Sequence, residues 1–425
     1  MPYAGGPDEQ LVYVRLMAAG WRLGLLAVAG LAVAGGVALA GRGQRTTLVN
    51  WSLTRRMALR LADAQGEPAS APELTAAYTD LVARSYAAVS DYTQAPMPPT
   101  MDSVQVLRRG DWIGANLDNF RRILRPVIEA YDHAQAGGGV GSRVLGVTTQ
   151  AGVSTQLGVL LGFLGRRVLG QYDIPLLDPE PGPAAIYFVD ANLRAVAARA
   201  GVPVDDLRLW VTLHEVTHAF QFHAGNPPWL HGYMSGLLED YLEEAVVTLG
   251  QHGELRARLS AAVQEFQRGG LRQSGWLRLA LSPRQVRTIE QIQALMTVVE
   301  GYSNHVMHAT GARLIPGYTH LARRMKARER SQATWVRLLT RALGLDMKLE
   351  QYRIGEAFVD AVVRQRGMAF VNRLWEGPEH LPTLAETQDP AAWMARVEPE
   401  GPADAASASD PHPNPLPSQG EGTGP

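Results

Sequence analysis

With 425 residues, the chain is long enough for one large domain or a few smaller ones, and for a sizeable core. Its 40 basic and 41 acidic residues nearly cancel, leaving a net charge of −1 without the basic footprint of a nucleic-acid binder, so no nucleic-acid partner is expected. It contains no cysteine, which excludes disulfides and thiolate metal sites, so any metal must be held by His, Asp or Glu.

Residues 1–22 form an N-terminal flank to the run "LGLLAVAGLAVAGGVALA" at 23–40, which carries no charge and lies between Arg22 and Arg42. A helix crossing a bilayer core needs roughly 17–25 such residues, so 23–40 is expected to be a transmembrane helix anchoring the protein to a membrane. A signal peptide, with "ALA" at 38–40 as its cleavage site, and a buried Ala/Gly-rich core helix are the alternatives. Arg15 and Arg22 precede the run, whereas Arg42, Arg45, Arg55, Arg56 and Arg60 follow it. The excess on the far side places the main domain in the cytoplasm; cleavage at "ALA" would instead give a secreted protein.

From 50 to 398 the pattern is mainly helical with a small β element. "WSLTRRMALRLADA" and "ELTAAYTDLVARSYAAVSDYT" carry apolar residues at helical spacing. "NLDNFRRILRPVIEAYDHA" puts Leu117, Phe120, Ile123, Leu124, Val127 and Ile128 on one face. "AAIYFVD", 184–190, is the clearest strand, rich in β-formers. "QIQALMTVVEGYSNHVMHATG" is expected to be a helix closed by Gly311, and "ATWVRLLTRALGL" and "GEAFVDAVVRQRG" add two more. The tail, 400–425, is dense in Pro, Gly, Ser and Ala and has too little apolar content to offset its ordering entropy, so it is expected to be disordered.

"LWVTLHEVTHAFQFH", 209–223, contains H-E-x-x-H. Asp205 and Asp206 open its helix, where the helix dipole favours acids, and the apolar pattern carries it through Phe222. Four residues make about one turn, so His214 and His218 share a face and can meet one metal ion. Glu215 lies one position round, beside that ion, where it can take a proton from a zinc-bound water as general base. Trp210, one turn before His214, is expected in the core.

A catalytic zinc needs a third protein ligand. Glu300, at the edge of the apolar stretch "MTVVEG", is the first candidate, because a carboxylate there is costly unless paired or metal-bound. His305, His308 and the acids Glu239, Asp240, Glu243 and Glu244 of "LLEDYLEEA" stay open as alternatives. Tyr352 and Arg353 in "EQYRIG" are weaker candidates for stabilising an oxyanion, and Tyr172 and Asp173 in "GQYDIP" are expected to shape a loop. No G-x-S-x-G elbow and no G-x-x-x-x-G-K loop occurs.

The segments "RRVLGQYDIP" (166–175), "LRLWVTLHEVTHAFQF" (207–222), "PPWL" (227–230), "LMTVVEGYSNHVM" (295–307), "LGLDMKLEQYRIGEAFVDAVV" (343–363) and "PEHLPTLAETQDPAAWMARV" (378–397) resemble a bacterial zincin-like family. It is the zincin-like metallopeptidase type 2 family, whose members are also labelled hydrolases or proteins associated with deazaflavin-coenzyme biosynthesis. The resemblance covers roughly 50–398. It implies a mostly helical zincin-like domain carrying HExxH on a central helix, and a zinc-dependent hydrolase. By that resemblance, His214, His218 and Glu300 hold Zn2+ and Glu215 is catalytic. The chain departs from the family's "EGHA" segment, reading Glu300-Gly301-Tyr302-Ser303, with Tyr302 in place of His. If Glu300 is the ligand, Tyr302 is expected to be able to donate a hydrogen bond to an oxyanion. Two functions follow as expectations: a membrane-tethered zinc metallopeptidase or amide hydrolase acting on a peptide or amide substrate, or a zincin-like scaffold without turnover, which the loss of the His would motivate. The deazaflavin label finds no phosphate or flavin motif to support it.

Overall fold

The computed structural model describes residues 47–97, 103–134, 140–173, 184–222, 229–250, 281–330 and 346–398. The apolar run at 23–40, the tail from 400 and the helix expected at 333–345 lie outside them. No described helix is long and apolar enough to cross a membrane.

In chain order the elements are α1 (Trp51–Leu61), α2 (Pro72–Thr93), β1 (Ser103–Val106), α3 (Arg109–Ala134), α4 (Val140–Gly165), β2 (Gly170–Asp173), β3 (Ala185–Phe188), α5 (Asp190–Ala200), α6 (Val204–Phe222), α7 (Trp229–Gly250), α8 (Pro283–Leu314), α9 (Tyr318–Arg330), α10 (Asp346–Arg366), α11 (Met368–Val371), three single 3-10 turns, and α12 (Pro390–Val397). The fold is mainly α with a small sheet, as the hydrophobic periods indicate.

The sheet has the order β1-β3-β2, with β1 parallel and β2 antiparallel to β3. "AAIYFVD" does supply a strand, β3, and its Asp190 opens α5. "GQYD" is not a loop but the edge strand β2. Its period of two divides its side chains between two faces. Gln171 and Asp173 point to α3, where Trp112 Nε1 donates to Gln171 Oε1 at 2.6 Å and Asn119 Nδ2 to Asp173 Oδ1 at 3.3 Å. Tyr187 of β3 donates to Asp173 Oδ2 at 3.0 Å on that same face. Tyr172 points the other way and stacks on Phe222 of α6, ring centroids 6.2 Å apart. This polar seam ties β2 to α3 and β3 and leaves Tyr172 on the side of α6.

Helix α6 is the central element. Every residue from Leu207 to Phe222 except Arg208 is buried, as expected for a helix surrounded on all sides. Helix α8 begins at a capping box in which Ser282 Oγ accepts from Gln285 N and Gln285 Oε1 from Ser282 N. Gly311 does not close α8, which runs on to Leu314. The missing side chain there makes room for the Tyr318 ring, which a Cβ would meet at 3.3 Å.

Among the described residues, two pairs of helices touch backbone to backbone. A Cβ on Gly158 or Gly162 of α4 would lie 2.9 Å from Thr54 O or 2.8 Å from Ala58 O of α1. A Cβ on Gly301 of α8 would meet the carbonyl carbon of Gly355 in α10, and one on Gly355 would meet the Thr297 carbonyl oxygen of α8. The second crossing sits one residue from Glu300.

Candidate metal centre

Three elements build the site: α6 carries His214, Glu215 and His218, α8 carries Glu300, and β2 lies against Glu215. The two helices run antiparallel. At one end Gln221 Nε2 donates to Val299 O at 2.8 Å; at the other, the Trp210 and His308 rings lie 6.1 Å apart.

His214 and His218 present their edges to each other at 89°, with the two Nε2 atoms 3.2 Å apart. His214 Nε2 is 3.5 Å from Glu300 Oε2. One donor atom from each of the three residues lies within 4.8 Å of the others, and all three are buried. Among the described residues they are the one group of three with such spacing. Two imidazoles and one carboxylate converging from two helices match the His2Glu donor set of a zinc hydrolase.

The other Nδ1 atoms and oxygens show how the donors are aimed. His218 Nδ1 lies 2.7 Å from Gln221 Oε1 and 3.1 Å from Ser303 Oγ, which leaves its Nε2 for the metal. Ser303 Oγ is also 3.0 Å from Val299 O, and so is held from two sides. Burial, and after it the neighbouring His214, push His218 down to about 4, so it is a neutral donor at neutral pH. Glu215 Oε2 accepts Tyr172 N–H at 2.8 Å. Burial first, then the Glu300 charge, raise the Glu215 carboxyl well above its usual range, with the Tyr172 hydrogen bond opposing them. A Cβ on Gly170 would lie 2.7 Å from Glu215 Cγ, so only glycine lets β2 come this close.

The structure thus brings His214, His218, Glu215 and Glu300 together and sends the other candidates elsewhere. His305 sits between Tyr92 Oη (2.6 Å) and Asp360 Oδ1 (2.6 Å). His308 reaches Tyr318 Oη at 2.7 Å and Glu356 at 3.5 Å. In "LLEDYLEEA", Asp240 pairs with Arg284 at the start of α8, and Glu239 and Glu243 are exposed. The side chains of Tyr352 and Arg353 lie outside those described. Trp210 is in the core.

Tyr302 is a correction. Two residues past Glu300 is about 200° of helical rotation, so it leaves the opposite face of α8. Its hydroxyl donates to Asn372 Oδ1 at 2.8 Å, its ring packs edge-on against Trp375, and burial raises its pKa. It is not aimed at the metal-binding group. Sequence reasoning, for its part, missed Gln221, Ser303 and the Tyr172 N–H. Gln221 is three residues after His218 and could have been read from that spacing. A backbone donor leaves no mark in a sequence.

A family model described as zincin-like metallopeptidase matches residues 49–394. No curated protein matches the chain. Among solved structures, a protein from Chloroflexus aurantiacus described as a "putative hydrolase with a novel fold" matches with 33% identity and a TM-score of 0.60, over 83% of this chain and all of that one.

Proposed function

The chain belongs to the zincin-like metallopeptidase family, and from that premise we propose that it is a zinc-dependent hydrolase of peptide or other amide bonds. The observation that carries the proposal is the buried convergence of His214, His218 and Glu300 with Glu215 alongside. The donor set fits the metal. Glu300 is fully buried between helices, where a carboxylate needs a cationic partner, and His218 is neutral, as a ligand must be.

Bound there, zinc would polarise a substrate carbonyl and lower the pKa of a water to about 7. The rest is for the chain's own residues to do. Glu215 Oε2 is fixed by Tyr172 N–H, which aims the carboxylate while Oε1 would accept a proton from the attacking water. A carboxyl whose pKa is raised by burial holds that proton long enough to pass it to the leaving amine. Gln221 and Ser303 would keep the His218 ring from turning. The scaffold alternative took its motive from Tyr302, which faces away from the group, so it has no observation in its favour. The run at 23–40 would tether this activity to a membrane.

The test is zinc content by elemental analysis of wild type, His214→Ala and Glu300→Ala, with hydrolysis of a peptide library by wild type and Glu215→Gln. One zinc per chain, lost in both alanine variants, and turnover abolished in a zinc-replete Glu215→Gln protein are the expected results. Zinc retained in Glu300→Ala, or undiminished turnover by Glu215→Gln, would sink the assignment.

A further inference from the structure

Along α8, the residue one turn beyond Glu300 on the face toward α6 is Asn304, and the next is His308. Along α6, the residue one turn before His214 is Trp210. The helices are antiparallel, held by Gln221–Val299 at one end and Trp210–His308 at the other. Counting inward from those contacts brings Asn304 level with His214.

Asn304 is fully buried, and among the described residues neither its Oδ1 nor its Nδ2 has a hydrogen-bond partner. Trp210 Nε1, a second buried donor on the same face of α6, also has none. A buried amide unmatched at both ends is costly, and native proteins keep such groups where they have a task. His218 shows what the task can be: its Nδ1 is held by Gln221 and Ser303. A histidine that gives Nε2 to a metal carries its proton on Nδ1 and needs an acceptor there.

We propose that Asn304 is a positioning residue for the metal centre: the two side chains are not bonded in this structure, and with the ion bound Asn304 Oδ1 would turn to accept His214 Nδ1–H and fix that ring with Nε2 toward the ion. The second lone pair of the same oxygen is available to Trp210 Nε1–H. The first imidazole would then be oriented from α8, by the turn that follows the third ligand. The second is oriented by Gln221 on α6 and Ser303 on α8. Docking of α8 on α6 would thus supply both a ligand and the aim of another.

The inference rests on the zinc reading above, and its test separates the two. Zinc affinity is measured by chelator competition, and site geometry by the visible absorption of the cobalt-substituted protein, for wild type, Asn304→Leu and Asn304→Asp. Asn304→Leu should bind zinc 10–100-fold more weakly and change the cobalt spectrum. Asn304→Asp, which keeps an acceptor and gives it a charge, should keep the cobalt spectrum and bind zinc more tightly than wild type. If wild type binds zinc and both variants match it in affinity and spectrum, Asn304 is only a buried amide and the proposal falls while the zinc assignment stands. If wild type binds no zinc, both fall. Should Asn304→Leu fail to fold, Asn304→Asp decides: a charged acceptor on His214 should tighten zinc binding, and unchanged affinity overturns the proposal.

Discussion

Glu215 is held in two ways that pull against each other. Tyr172 N–H favours its ionised form, whereas burial and Glu300 favour the protonated one and prevail. In the metal-free protein the folded state therefore keeps a proton that the unfolded chain releases above its ordinary value of 4.5. Stability contributed by that proton is complete below 4.5 and is lost as pH rises toward the raised value. His218 has the opposite sign. Its pKa is lowered to about 4 from 6.5, so its contribution is present above 6.5 and lost as pH falls through that window. Glu215→Gln removes the first dependence and leaves the second. Metal-free Glu215→Gln should match wild type near pH 4.5 and exceed it increasingly at higher pH, with a slope of at most about 1.4 kcal/mol per pH unit for the single proton. Denaturant titrations at several pH values measure this; parallel curves would mean that Glu215 is not raised by its surroundings. Tyr302 gives the contrasting case. Tyr302→Phe removes the hydroxyl that donates to Asn372. It should cost about 1 kcal/mol of stability and leave zinc content unchanged.

At the scale of elements, the site depends on contacts too close for a side chain. Gly355→Ala puts a methyl where Thr297 O now sits, so α10 must move off α8 beside Glu300. The expected cost is about 1–3 kcal/mol, with weakened zinc binding in the folded fraction. Gly170→Ala acts on the other side of the centre. It drives a methyl into Glu215 Cγ without touching a metal donor, so turnover should fall while zinc content holds. Equal activity in that variant would show that Glu215 can retreat without loss. The sequence was legible where period and chemistry coincide. The helices around Leu117–Val127 and 207–222, the strand at 185–188 and the shared face of His214 and His218 could all be read from it. It was silent on β1 and took β2 for a loop, because four residues each are too few to show a period. It misplaced the end of α8 because a glycine chosen for room beside Tyr318 looks the same as one chosen to stop a helix. Tyr302 was misread for a similar reason. Nearness in sequence to Glu300 suggested a role that helical rotation denies.

In the whole molecule, one unusual demand stands out. The buried group draws on two helices, α6 and α8, with β2 closing one side, and the chain leaves α6 at Phe222 well before α8 begins at Pro283. What the sequence could show was which donors exist; which of Glu300, His305 and the acids near Asp240 would arrive was decided by how those helices pack. That packing also sets the order of events in time. About 80 residues separate His218 from Glu300, so bringing the donors together carries the closure entropy of a long loop. Only the docked helices offer a complete ligand set, and contacts so distant along the chain are made late. Zinc should therefore act as a latch rather than a seed. In stopped-flow experiments, it is expected to slow unfolding at least tenfold and leave the refolding rate unchanged, because it stabilises the native state and not the barrier that precedes it. Faster refolding with zinc would mean instead that His214, His218 and Glu300 find each other before the core has formed.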